Sequence, residues 1–522
     1  MKKLTSIKFE KKFFLIFLFF FLVISILAQY YGGFTVDEPA QYLRAKIWIE
    51  NFFIKSHVYS NSGLPKHYLE HTDTYGLFTQ VFSLASSFIF KTIAKFFGIF
   101  FETKYIFHYF LHFTSLFFGF LSIIIFFNFL KSLEIKKEEA YYASIVFGFS
   151  PIWLGHSFFN YMDINLAFFF LSSSYFLFKI NFSKKIKNKY IYLYLLSLLG
   201  IGVTRPQILP IFFLLSISVL IFKRIKFLDY IKYGLITLLL LYVMTPQSWP
   251  DPILWIKNVY VDNLAGQWSG CSQTNNQCIG KTHSENWSAL KYLYLWLSAK
   301  TPFLIFISFF FLFLKRDKKQ FFIFFIFLLP FLIIIFKNLN IYNGIRHFLF
   351  LIPIIYLISF RNFLLYVKNK KIKLITFLLL FTSLVFDNLS LYPYNYTYLN
   401  YQTRHNASSE IEKNNKLFAL SYELDYWGYS LKESIKKLEK YSNSEKIFID
   451  FPKYWDPVIL PLSNKLIKKN EKTKIYYYIS PIYGAGNGRK VPDNCKLVDT
   501  ASRKYFLDKK IFHLSYFAKC YK

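Results

Sequence analysis

The chain has 522 residues, is 54% hydrophobic and 22% aromatic, and carries a mean hydropathy of +0.30 with a formal net charge of +33. Apolar runs of about 20 residues recur through the first three quarters, which predicts a polytopic α-helical membrane protein. The charge does not signal nucleic acid: Lys and Arg punctuate apolar runs or gather in the tail, without a basic face, a zinc pattern or an RNA-binding signature.

Met1 to Lys12 is basic and precedes the apolar run Phe13 to Gln29, with no small-residue cleavage site after it. This reads as a retained first helix with a cytoplasmic start. Thr35-Val36-Asp37-Glu38-Pro39 follows at its mouth and opens an amphipathic stretch, Pro39 to Phe53. Two carboxylates beside a membrane are costly to hold and point to a site. The same residues also suit a helix start, with Pro at the first position and an acid before it.

Tyr75 to Phe100 is long enough to span, but Lys91 and Lys95 interrupt it, and it reads as an interfacial or re-entrant helix pair. Further apolar runs are Tyr105 to Leu130, Ala140 to Leu154, Ile164 to Phe178, Tyr190 to Thr204 and Ile208 to Phe222. Then come Tyr233 to Met244, Thr301 to Leu314, Phe321 to Phe336, His347 to Phe360 and Leu374 to Phe386. With the first helix these make about eleven spans, and the basic clusters between them all fall on the cytoplasmic side. Residues 1–388 then form the membrane domain, and 389–522 an extracytoplasmic domain.

In the tail, Leu417 to Glu423, Lys446 to Asp450 and Lys474 to Ser480 read as short strands. Gly428 to Tyr441 and Asp456 to Lys469 have helical apolar spacing. Alternating strands and helices predict a small α/β sheet. Gly484-Ala485-Gly486-Asn487-Gly488 lacks the Lys-Ser/Thr ending of a phosphate loop and reads as a turn. Cys271 and Cys278 lie in the longest external loop, and Cys495 and Cys520 in the tail; each local pair can close a disulfide in an oxidising compartment.

This topology collects acids (Asp37, Glu38, Asp163) and cations (Arg205, Arg346), with His156 and His347, on the external side. A carboxylate can take a proton from an attacking hydroxyl, and cations can hold a leaving phosphate whose charge grows in the transition state. A substrate with a phosphate head and a long apolar tail would reach helix ends lying against lipid. Taken singly, the arginines also suit snorkelling to headgroups and His156 a satisfied loop position. A divalent ion bridging acid and phosphate fits the chemistry, although no ligand spacing specifies one.

The Asp37-Glu38-Pro39 opening followed by many spans resembles the GT-C membrane glycosyltransferases, especially protein O-mannosyltransferase-like members. Further stretches share the resemblance: Ser150-Pro151 with Gly155 to Ile164, Thr204-Arg205-Pro206 and Trp249-Pro250-Asp251-Pro252. So do Tyr342-Asn343-Gly344-Ile345-Arg346-His347 and Asp425-Tyr426-Trp427-Gly428. The resemblance implies an inverting transferase of the cell inner membrane, using a polyprenyl- or dolichyl-phosphate sugar and a glycan, lipid or protein acceptor. It implies Asp37 as the base and Asp163 as the acid of the second external loop, near the donor phosphate or a metal. Met162 stands where those relatives usually carry Lys, and the tail differs from the inserted domain of eukaryotic mannosyltransferases.

Two other classes match parts of the sequence. A transporter would use the same charges as an ion or proton path, but it predicts charges in mid-span and two matching halves. A scaffold presenting the tail domain leaves the polar membrane residues unexplained.

Overall fold

The computed structural model describes residues 2–54, 76–100, 102–245, 248–249, 251–262, 286–311, 317–337, 344–406, 411–412, 417–418, 424–452, 459–482, 490–506, 508 and 510–522. The fold is mostly helical, with a small sheet at the C-terminus. Among the described residues six helices are long and apolar enough to cross a membrane: Lys11–Tyr31, Ile106–Ser132, Tyr161–Phe182, Phe227–Met244, Arg346–Tyr366 and Lys370–Leu391. Large apolar side chains such as Phe19, Leu235, Leu239 and Leu379 stand exposed on them, as a lipid-facing surface requires. The protein is membrane-embedded.

Local sequence sets where these helices begin and break. Asn160 caps Tyr161–Phe182, its side-chain oxygen accepting from the Asp163 backbone N–H at 3.1 Å. The run Ala140 to Leu154, expected as one span, is cut in two: a helix over Lys137–Gly148, then Pro151–Ser157. Ser150 precedes a proline and sits at φ −55°, ψ 121°, outside the helical region that proline denies its predecessor. Twelve residues rise only about 18 Å, short of the ~30 Å hydrocarbon core.

The stretch 75–100, expected as a helix pair, is one unbroken helix, Phe78–Phe96. It has no internal breaker and stops where Gly98 turns the chain at φ +75°. Its buried side is polar, carrying Thr79, Gln80, Ser83 and Ser87, and Gln80 donates to Gln41 at 3.1 Å on the helix Glu38–Ile54.

In the tail, strands β1 (Ile411–Glu412) and β2 (Leu417–Phe418) pair as a two-stranded unit. The main sheet holds β3 (Ile447–Asp450), β4 (Leu466–Lys468), β5 (Ile475–Pro481), β6 (Cys495–Lys504) and β7 (Ile511–Tyr521) in the order β4-β3-β5-β7-β6. Its β4-β3-β5 half is parallel and its β5-β7-β6 half antiparallel. Over the described part, 459–469, of the stretch expected as a helix (Asp456 to Lys469), Leu460–Leu462 is a single tight turn and β4 follows, because the β3 edge offers Leu466–Lys468 a parallel ladder. Helix Leu431–Ser442 covers the sheet with Leu431, Ile435 and Leu438 against Ile447, Ile479 and Phe517. Cys495 and Cys520 lie opposite each other on β6 and β7 and are joined by a disulfide. Cys271, Cys278 and the 484–488 turn lie outside the described residues.

The tail is not a detached unit. One apolar core runs from Phe14 and Phe21 of the first helix through Trp153 and Phe159 to Trp427, Tyr429 and Tyr516. Gly155 makes the join close, since a Cβ there would lie 2.0 Å from the Tyr396 backbone N.

Candidate functional site

At the bundle end where the tail packs, a small cleft is lined by Thr35, Asp37, Phe159, Asn160, Tyr161, Met162, Asp163, Arg205, Arg346 and Trp427. Four of the sequence-derived candidates, Asp37, Asp163, Arg205 and Arg346, meet there from widely separated stretches of chain.

The two carboxylates differ in freedom. Asp163 is 2% exposed, and both its oxygens are engaged: Oδ1 takes an Arg205 Nη2–H at 2.7 Å and Oδ2 takes Asn160 Nδ2–H at 3.0 Å. Asp37 is 37% exposed, with Oδ2 accepting from Trp427 Nε1–H at 3.2 Å and lying 3.6 Å from Arg346 Nη1. Asp37 is therefore the carboxylate that a substrate can reach.

Glu38, its neighbour in sequence, faces the other way. It is fully buried, with Oε1 at 2.9 Å from His112 Nε2 and Oε2 at 2.9 Å from His108 Nδ1. Burial alone would raise this carboxyl; the charges and hydrogen bonds of His112 and His108 outweigh burial and bring it down to about 2. Oε1 also accepts the Thr35 backbone N–H at 2.9 Å, while Glu38 N–H donates to Thr35 O at 3.2 Å. This reciprocal pair closes a tight turn, so Glu38 fixes the turn from which Asp37 projects.

The two histidines among the candidates lie behind the cleft. Arg205 Nη1 donates to His347 Nδ1 at 3.1 Å, which leaves that nitrogen unprotonated. Asn160 Nδ2 likewise donates to His156 Nδ1 at 2.8 Å. Burial, then the nearby Lys300 and Arg346 charges, hold His156 well below the ordinary imidazole value, so it is neutral. Both rings orient the groups in front of them.

Trp427, buried in the core, completes the cleft wall. The Arg346 guanidinium sits 5.1 Å from its ring centroid, and the Phe159 ring stands edge-on at 5.2 Å. Its loop is anchored by Asp425, which accepts Tyr429 N–H at 2.9 Å and Ser430 N–H at 3.0 Å, along with the hydroxyls of Tyr396 and Ser430. Gly428 takes φ +69° in the same turn. Trp427, Asn160, Tyr161, His108 and His112 have roles here that the sequence alone does not assign. The spacing of His108 and His112, one helical turn apart and facing one way, was the available signal for the Glu38 partners.

Among the described residues no group of three or more His, Cys, Asp or Glu side chains is arranged to hold a metal ion. No protein-family model matches the chain, and no curated protein matches it.

Proposed function

We propose that this chain is an inverting glycosyltransferase, moving a sugar from a polyprenyl-phosphate donor to an acceptor hydroxyl at the cleft. The observation that carries the reading is the meeting, in one cleft at an end of the helix bundle, of one accessible carboxylate with two arginines. Asp37 takes the proton of the acceptor hydroxyl as its oxygen bonds to the anomeric carbon. The bond from that carbon to the phosphate oxygen breaks, and the electron pair leaves with the polyprenyl phosphate. Arg205 and Arg346 balance the charge that develops there. One displacement inverts the anomeric centre, and among the described residues lining the cleft no second exposed carboxylate stands ready to form a covalent intermediate.

Asp163 acts on this reading by holding Arg205, with both of its own oxygens occupied. Buried Arg205 Nε has no hydrogen-bond partner among the described residues, leaving a donor for a phosphate oxygen. On this reading the apolar runs of the sequence make about eleven spans, the interrupted Lys137–Gly148 and Pro151–Ser157 pair counting as one crossing, with the cleft and tail on the extracytoplasmic face of the inner membrane. At the opposite bundle end lie Lys131, Lys136, Lys137, Lys319 and Lys373, the distribution expected of the cytoplasmic side.

Comparing lipid-linked sugars and surface glycans in cells with and without the protein tests the reading; a polyprenyl-phosphate sugar should accumulate in the deletion. Identical profiles would sink it. For the topology, Asn443→Cys should react with an impermeant thiol reagent from outside and Asn188→Cys should not. The reverse pattern would move the cleft to the cytoplasm.

A further inference from the structure

We propose that Trp427 is the positioning residue of this reaction: it holds Arg346 and Asp37 in register while Arg346 exchanges the carboxylate for the donor phosphate. The inference rests on the transferase reading above. Its starting point is the Arg346–Asp37 contact, at 3.6 Å the loosest of the cleft's ion contacts and the one open to solvent through Asp37. While that contact stands, the proposed base is neutralised by the proposed phosphate ligand. An arriving phosphate must take Arg346 over and so release Asp37.

Trp427 touches both partners and the turn between them. Its indole N–H holds Asp37 Oδ2 at 3.2 Å, which leaves Oδ1 to face an acceptor. Its ring carries the guanidinium of Arg346 at 5.1 Å, and a stacked guanidinium can pivot in plane from one anion to another. Its backbone oxygen accepts Val36 N–H at 3.2 Å, tying down the same turn that Glu38 fixes from below. The Asp425 anchor fixes Trp427 in turn. Donor binding therefore precedes acceptor activation, and the kinetic order is compulsory.

The two contacts of Trp427 can be separated by substitution. Trp427→Phe keeps a ring for Arg346 and removes the N–H; Trp427→Leu removes both. The test uses full-length protein in lipid nanodiscs, undecaprenyl phosphate as binding probe, and a panel of undecaprenyl-phosphate hexoses and pentoses for turnover. Trp427→Phe should bind undecaprenyl phosphate within about twofold of wild type while kcat falls about tenfold with little change in donor KM, the size of one lost hydrogen bond to a charged group. Trp427→Leu should lose about tenfold in binding as well. A purely structural tryptophan would lower melting temperature and yield without this split between binding and turnover. Wild-type turnover in Trp427→Phe, or wild-type binding in a folded Trp427→Leu, overturns the assignment. A wild-type protein that neither binds the probe nor uses any donor overturns the transferase reading, and this role with it.

Discussion

Arginine meets carboxylate at both ends of the bundle, and the two ends use the pairing differently. At the basic end Arg361, 1% exposed, is closed on Asp317 at 2.6 Å and on Gln320, while Lys373 is closed on Glu139 at 2.7 Å and on the Leu364 carbonyl at 2.7 Å. These pairs tie neighbouring segments of the bundle together. At the cleft end one pair is equally tight, Arg205–Asp163, but its neighbour Arg346–Asp37 is looser, at 3.6 Å. The contrast lies in the contact itself, 2.6 to 2.7 Å for the tight pairs against 3.6 Å for Arg346–Asp37.

The largest effect that would break this contrast is at Asp37. Asp37→Asn preserves size and capping ability but cannot accept a proton, so sugar transfer should fall about 100- to 10,000-fold with the melting temperature unchanged. Near-normal transfer would make Asp37 a cap and the loose pair incidental. Glu38→Gln should do the opposite, costing about 3–5 kcal/mol of stability by breaking a buried ionic cluster, read by thermal unfolding in detergent. The sign with pH follows from the lowered carboxyl: Glu38 stabilises fully above its ordinary value of 4.5, and that contribution fades as pH falls toward about 2.

Arg346→Lys replaces a planar fork by a point charge and should cost about 1–3 kcal/mol in donor binding or turnover. Arg361→Lys, at the other end, should lower the melting temperature and leave transfer per folded molecule as it was. Equal effects of the two on transfer would erase the distinction between the ends. Smallest is Lys319→Ala, which removes a partly exposed pair with the well-exposed Glu134 and should cost under about 1 kcal/mol.

The helices were legible because membrane helices announce themselves as long apolar runs, and the observed helix Thr103–Ser132 brackets the expected run Tyr105 to Leu130. What the runs hid was continuity. Ser150-Pro151 breaks a run whose hydrophobicity does not change across it, and Phe78–Phe96 stays whole despite two lysines. In the tail the parallel strand Leu466–Lys468 is only three residues long, too short for a period of two to appear. β6, with Asp499, Ser502 and Arg503 among its apolar positions and register shifts against β7, gave no clean alternation either. At the site, residue types with chemistry were visible, but their directions were not. Nothing local tells which of two adjacent carboxylates turns inward; His108 and His112 decide that for Glu38, and Trp427 decides it for Asp37.

Trp427 and Asp37 are 390 positions apart, and the contact between them bears on biosynthesis. A ribosome that has made and inserted every helix of the bundle has still not produced the cleft wall. That wall arrives only with residues 424–430, after the last long helix, Lys370–Leu391, has left the ribosome. On the transferase reading proposed above, a chain truncated before Trp427 would insert in the membrane without a complete cleft.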